Sequence, residues 1–167
     1  MTRTFTVSRS ILVEASPQSV YEQVSQPGLM GRWSPENLGA TMPGDGAPVG
    51  VGLVFEGHNK RGPFRWTTRC TVTEADQGRR FAFRVHAIGL KRPRLKAPIA
   101  TWQYRFEDSG GATKVTETWT DDRRSWPTFV ANGFDRLATG GKTFAAFQVG
   151  NIDRTLKNLK RELEAAR

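Results

Sequence analysis

The chain of 167 residues has a single cysteine, Cys70. One thiol can form neither an internal disulfide framework nor a thiolate cluster for zinc. Histidine is nearly as scarce. His58 and His86 lie far apart on the outward parity of their strands, and no Asp or Glu spacing completes a metal site around either, so no metal ligands are expected. Ser34 has no histidine and acid at a spacing that would activate it as a nucleophile. The Gly-Gly pairs at 110 and 140 lack the strand, loop and helix of a phosphate cradle, and no cofactor is expected. Long hydrophobic runs are missing too. No stretch approaches the roughly 20 apolar residues of a membrane span. Met1 to Thr6 has no apolar core of the kind a secretory signal needs, which makes the cytoplasm the expected location.

Positive charge is plentiful: 25 Lys and Arg against 16 Asp and Glu give a net charge of +9. Lys91, Arg92, Arg94 and Lys96 crowd one loop, while Lys157, Lys160 and Arg161 fall on the outer face of the last helix. A nucleic-acid binder adds exposed aromatics or an Arg-rich docking helix, and neither is visible. Nucleic acid is therefore not expected as a partner, and an anionic membrane surface only as a weak one. A solvated basic loop accounts for the charge.

The apolar residues, 37% of the chain, are laid out in period two and then in period three to four. Ile11 and Val13 alternate with Leu12 and Glu14 as a strand. Ser16-Pro17 then supplies an N-cap and a first helical residue, with Val20, Tyr21 and Val24 as the apolar stripe behind it. A second short helix ends at Trp33-Ser34-Pro35. Two-faced strands follow at Val51 to Gly57, Phe64 to Val72, Arg80 to His86, Thr101 to Phe106 and Lys114 to Thr120, with turns at Lys60 to Pro63, Gln77-Gly78 and Ser109 to Gly111. Short turns and clean alternation describe an antiparallel meander with one covered face. From about Thr128 the strand signal ends. Phe144, Phe147, Ile152, Leu156, Leu159 and Leu163 predict a helix from about Thr143 to Glu164. Trp126 to Ala138 is either the first half of that helix, bent at Gly140-Gly141, or a separate lid.

This order, with the phrases GRWSPE at Gly31 to Glu36, FEGHNKRGPFRW at Phe55 to Trp66 and TKVTETW at Thr113 to Trp119, resembles the helix-grip or START-like superfamily (SRPBCC), and within it the polyketide cyclase/dehydrase and lipid-transport branch. The resemblance spans nearly all of residues 1–167 and implies one α+β domain with the fold of the birch pollen allergen. Seven curved antiparallel strands would wrap around a long C-terminal helix, with two short helices after strand 1. It also implies a cavity between the concave sheet and that helix. Mapping the alternation onto the cavity gives a lining of Phe55, Asn59, Trp66, Thr68, Phe83, Trp102, Tyr104, Glu117 and Trp119, closed from above by Trp33, Phe144 and Phe147. Such rings either fill the core or line a pocket for a flat or elongated apolar ligand.

Two of these residues are polar in an apolar setting. Glu117 lies between Val115 and Trp119, where a carboxylate is costly unless paired. It is the candidate catalytic or anchoring group, unless it forms an ion pair with Arg32, Arg123 or Arg124, or faces outward. Asn59 sits where it can meet a ligand at the mouth. Three functions follow: binding or transport of a small hydrophobic molecule (lipid, polyketide or aromatic metabolite), an enzyme of cyclase, dehydratase or aromatase type in which Glu117, with Asn59 or Tyr104, moves protons, or a co-chaperone-like interaction module. If Glu117 anchors a ligand, Glu117→Gln is expected to weaken binding and leave the fold intact.

Overall fold

A computed structural model describes residues 2–44, 46 and 48–166. Strand β1 (Thr6–Val13) leads into α1 (Pro17–Val24) and a 3-10 helix (Pro27–Arg32). Strands β2 (Asn37–Thr41), β3 (Val54–Arg61), β4 (Phe64–Asp76), β5 (Arg80–Gly89), β6 (Leu95–Ser109) and β7 (Ala112–Asp121) follow, then α2 (Thr128–Thr139) and α3 (Phe144–Ala165). The strands form one seven-stranded antiparallel sheet in the order β1-β7-β6-β5-β4-β3-β2, and β1 closes against β7 along its whole length. Register shifts interrupt β4–β5 and β5–β6, and bulges of this kind bend strands and increase their twist. The result is the α+β helix grip, a curved sheet holding one long helix.

Local chemistry explains the start. Ser16 accepts a hydrogen bond from the backbone of Ser19 and Pro17 takes the first turn, a cap worth about 1 kcal/mol. Val20, Tyr21 and Val24 are buried against the sheet, with the Tyr21 ring edge-on to Phe106 at 5.9 Å. Helix α3 begins at the Thr143 cap, as its spacing predicts. It buries Ile152, Leu156 and Leu159, each contributing about 1.5–3 kcal/mol.

Several boundaries differ from the sequence reading. Strand β2 carries no apolar alternation and went unread; glycine at position 39, with φ +119, accompanies a register shift in its pairing. The strand expected from Val51 starts at Val54, because Val51 and Gly52 form a turn. Lys60 and Arg61, expected in a turn, end β3, and Gly62 with φ +57 turns the chain instead. Phe64 has the expected parity but lies at a hairpin tip and is mostly exposed. Part of the basic loop, Leu95 and Lys96, already belongs to β6. On α3, Lys160 is only half exposed, bonding to the Leu12 carbonyl and to Glu164. The segment around Trp126 to Ala138 is a separate helix, ended by Gly140 in the left-handed conformation at φ +74. Among the described residues, no helix is long and apolar enough to cross a membrane.

Candidate functional site

The concave face is built by register. Val72, Phe83, Trp102, Trp119 and Val7 stand opposite one another on successive strands, and beside them run Phe81, Tyr104 and Glu117. Of the residues expected to line the interior, Trp33, Phe55, Thr68, Phe83, Tyr104, Glu117 and Trp119 are buried. Asn59, Trp66, Trp102, Phe144 and Phe147 are half-buried. Phe55 and Phe83 meet edge to face at 5.4 Å. Phe144 turns toward α2, with its ring 6.1 Å from Phe134 and the Arg123 guanidinium 4.6 Å above it.

Glu117 is the chemical centre of this face. The Tyr104 hydroxyl donates to its Oε1 at 2.9 Å, inside the protein. None of the ion pairs considered from sequence forms. Arg32 reaches Glu162, Arg123 reaches Asp121 and Asp135, and Arg124 lies over the Phe5 ring. Arg9, opposite Glu117 in register, is paired with Asp153 of α3. Burial without a counter-charge pushes the Glu117 carboxyl up to about 8, although the Tyr104 hydrogen bond acts to lower it. Burial, and then the neighbouring Glu117, hold the Tyr104 hydroxyl well above its ordinary range. At neutral pH the pair is a neutral acid beside a neutral phenol. With Oε1 accepting from Tyr104, the acid proton falls to Oε2, which has no partner among the described residues.

Two further buried polar atoms, Asn151 Oδ1 and Trp33 Nε1, lack a partner among the described residues. Buried polar groups are almost always matched, so an acceptor, a donor and an acid oxygen left open inside one core call for polar contacts from a guest or water. Asn151 belongs to a stripe that the sequence reading missed. Gln148, Asn151 and Thr155 are buried on α3, and Asn151 Nδ2 donates to Gln148 Oε1 at 2.9 Å. The signal was present, since these positions recur at the same three and four residue steps as Ile152, Leu156 and Leu159. The apolar half of the periodicity masked the polar half.

At the β3–β4 end, Asn59 Nδ2 makes only long contacts, 3.4 Å to the Gly57 carbonyl and 3.5 Å to Thr68 Oγ1. A Cβ at position 57 would lie 2.9 Å from Thr68 Oγ1, so glycine gives that hydroxyl its room. Arg61, absent from the expected set, lies over two members of it, 4.1 Å from the Phe147 ring centre and 5.4 Å from that of Trp66. It also donates to Glu36 and to the Ala138 carbonyl. The basic loop stands apart from this interior. Arg92, Pro93, Arg94 and Lys96 line an open hollow of about 470 Å³ with Glu56 and Arg69. His58 and His86 bond to Thr41 and Thr71, and Cys70 is a buried free thiol.

A curved antiparallel sheet, a gripping C-terminal helix and a polar pair inside an aromatic interior define a START-like, helix-grip protein. The chain belongs to the family described as polyketide cyclase/dehydrase and lipid transport, whose model matches residues 4–164. Solved structures agree with this placement. A Polyketide_cyc-like protein of Corynebacterium glutamicum is 26% identical, with 99% of this chain and 95% of that one covered at a TM-score of 0.60. A START superfamily protein of Mycobacterium smegmatis is 13% identical, with 98% and 100% covered at 0.68, and Ara h 8.0201 is 12% identical, with 96% and 97% covered at 0.56. These last two show the fold alone. No curated protein matches the chain in sequence.

Proposed function

We propose that the protein binds a small, mostly apolar molecule bearing an oxygen function between the concave sheet and α3, with Glu117 and Tyr104 as its polar anchor. Membership of a cyclase/dehydrase and lipid-transport family and the START-like neighbours support a hydrophobic-ligand-binding fold. The observation that carries the reading is the buried Tyr104–Glu117 hydrogen bond with Glu117 Oε2 left open. A neutral acid can donate from Oε2 to a carbonyl or hydroxyl, while Trp66, Phe83, Trp102 and Trp119 cover the apolar body. Phe55, Thr68, Asn59, Trp33, Phe144 and Phe147 complete the proposed lining.

A second reading is an enzyme of cyclase, dehydratase or aromatase type. One observation favours it: a carboxyl held at about 8 is poised to give and take a proton near neutral pH. Native mass spectrometry of freshly purified protein, followed by extraction of whatever leaves with it, tests the first reading. An extracted molecule that the protein releases unchanged supports a carrier, and one that it converts supports the enzyme. A protein that retains no small molecule and shifts the emission of none of its tryptophans with aromatic or fatty ligands overturns both.

A further inference from the structure

Helix α2 is an amphipathic helix turned inside out. The residues it buries are Ala131 and Asp135. Asp135 is the pin: its Oδ1 accepts from Arg123 Nη1 at 2.8 Å and its Oδ2 from the Phe144 backbone at 2.9 Å. At 100° per residue, Phe129, Val130, Phe134 and Leu137 share the opposite arc, and all four are exposed, Phe129 by 79% and Leu137 by 87%. Isolated exposed apolar residues are ordinary, but four on one face of one helix are not. Helix α2 is held through Ala131 and Asp135, and Phe134 is the member of the four that also touches the protein, edge-on to Trp126 and Phe144.

The charges beside this face have one sign. Between residues 124 and 142 the only acid is Asp135, and it is buried in its ion pair. Arg136 and Lys142 are exposed, while Arg124, also exposed, lies over the Phe5 ring. Glu36, which approaches the end of α2 by way of Arg61, is paired with that arginine. Trp126, half-buried, packs edge-on against Phe134 at 5.8 Å. An apolar arc with an aromatic at its flank and cations at its margins is the pattern of a helix lying in the plane of an anionic bilayer. Twelve residues span about 18 Å, which is long enough to lie on a membrane and too short to cross one. An apolar arc bordered by cations matches a surface that is apolar beneath an anionic layer, as a bilayer of acidic lipids is.

The geometry points to α2 as a docking surface for an anionic lipid bilayer, with Phe129, Val130, Phe134 and Leu137 entering the headgroup boundary and Arg136 and Lys142 meeting lipid phosphates. This inference stands on α2 alone and does not depend on what the interior binds. Its contact with Phe144 nonetheless sets the docked face next to one end of the proposed lining.

Flotation with vesicles of phosphatidylcholine alone, and of phosphatidylcholine mixed with phosphatidylglycerol, tests it. The full chain is expected to float with the anionic vesicles only, and to be released by high salt. The double variant Phe129→Ser, Leu137→Ser removes only exposed side chains, so its melting temperature should match the parent while its vesicle affinity falls about tenfold or more. Arg136→Glu with Lys142→Glu should weaken binding to anionic vesicles by a similar factor. The proposal is overturned if the parent fails to bind anionic vesicles, or if the serine variant binds them as well as the parent. It is also overturned if the parent is a dimer that the serine variant converts to monomer, since the apolar face would then serve a second copy.

Discussion

Arg123 and Asp135 form a buried ion pair at 2.8 Å that ties the end of β7 to α2. Arg123 also donates to both oxygens of Asp121, and Arg3 donates to Asp121 Oδ2 at 2.6 Å. Two arginines and two aspartates thus neutralise one another at the junction of β7, α2 and α3.

Removing one member should be costly, because its partner stays buried. Asp135→Ala strands a guanidinium N–H and the Phe144 amide, and is expected to cost about 3 kcal/mol, seen as a clear drop in melting temperature. The same cluster predicts acid sensitivity. Burial acts to raise the Asp121 carboxyl, but hydrogen bonds from Arg123 and Arg3 outweigh it and hold the group below its ordinary value. A carboxyl lowered in the folded state stabilises above its unfolded pKa, and that stabilisation is lost as pH falls through the folded one. Melting temperatures should therefore decline below about pH 4, and Asp121→Asn should flatten that decline while lowering the whole curve.

Burial pushes the Cys70 thiol up to about 12. Thiolate is the reactive form, so the native protein should resist a thiol-specific reagent at neutral pH and react fully once unfolded in denaturant. Rapid labelling of the folded protein would show that the β3–β4 interior opens on the timescale of the reaction.

Two glycines of α2 should respond with opposite signs. Gly140 caps the helix at φ +74, where an L residue is strained, so Gly140→Ala is expected to destabilise by about 1 kcal/mol. Gly133 lies within the helix, and a methyl group added there would meet no neighbouring side chain within 4 Å, so Gly133→Ala should stabilise by about 0.5–1 kcal/mol. Denaturant melts of the two variants check the pair, and equal effects would mean that this segment is not helical.

The sheet was legible because each long strand alternates cleanly, and α3 because its apolar steps repeat. Strand β2 was not, since Asn37 to Thr41 pairs through its backbone and carries little apolar pattern for a periodicity to reveal. The partner of Glu117 was open between Asn59 and Tyr104, and the structure gives Tyr104. Tyr104 and Glu117 are brought together by the register of β6 on β7, and register is a tertiary fact that a linear reading of either strand does not contain. The outward apolar face of α2 was concealed by a sound rule. An apolar arc is ordinarily read as facing the core, and only the buried Asp135 reverses it.

The state of Glu117 changes what its substitutions should do. A carboxyl raised from 4.5 to about 8 on folding binds more protons in the native state than in the unfolded one between those values. Its contribution to stability is therefore greatest below the unfolded pKa and is lost as pH rises toward 8. Glu117→Gln, an isostere of the neutral acid, should remove this loss between pH 4.5 and about 8 while still accepting from Tyr104. It should also bind ligand nearly as well as the parent at neutral pH, in place of the weakening expected for a charged anchor, because the amide N–H can replace the Oε2 proton. Glu117→Leu removes donor and acceptor together and leaves the Tyr104 hydroxyl unmatched, at a cost of about 1–3 kcal/mol in stability. Its ligand affinity should fall by about tenfold or more, the loss of one buried hydrogen bond. Titrations read by the emission of Trp102 and Trp119, with melts across the same pH range, separate the cases. If the protein turns its ligand over, Glu117→Gln should keep the binding and abolish the reaction, since an amide cannot exchange the proton. Loss of binding in the glutamine variant at neutral pH would show that the anchor acts as a carboxylate, and a melting curve that keeps the parent's slope between pH 4.5 and about 8 would show that Glu117 is not raised on folding.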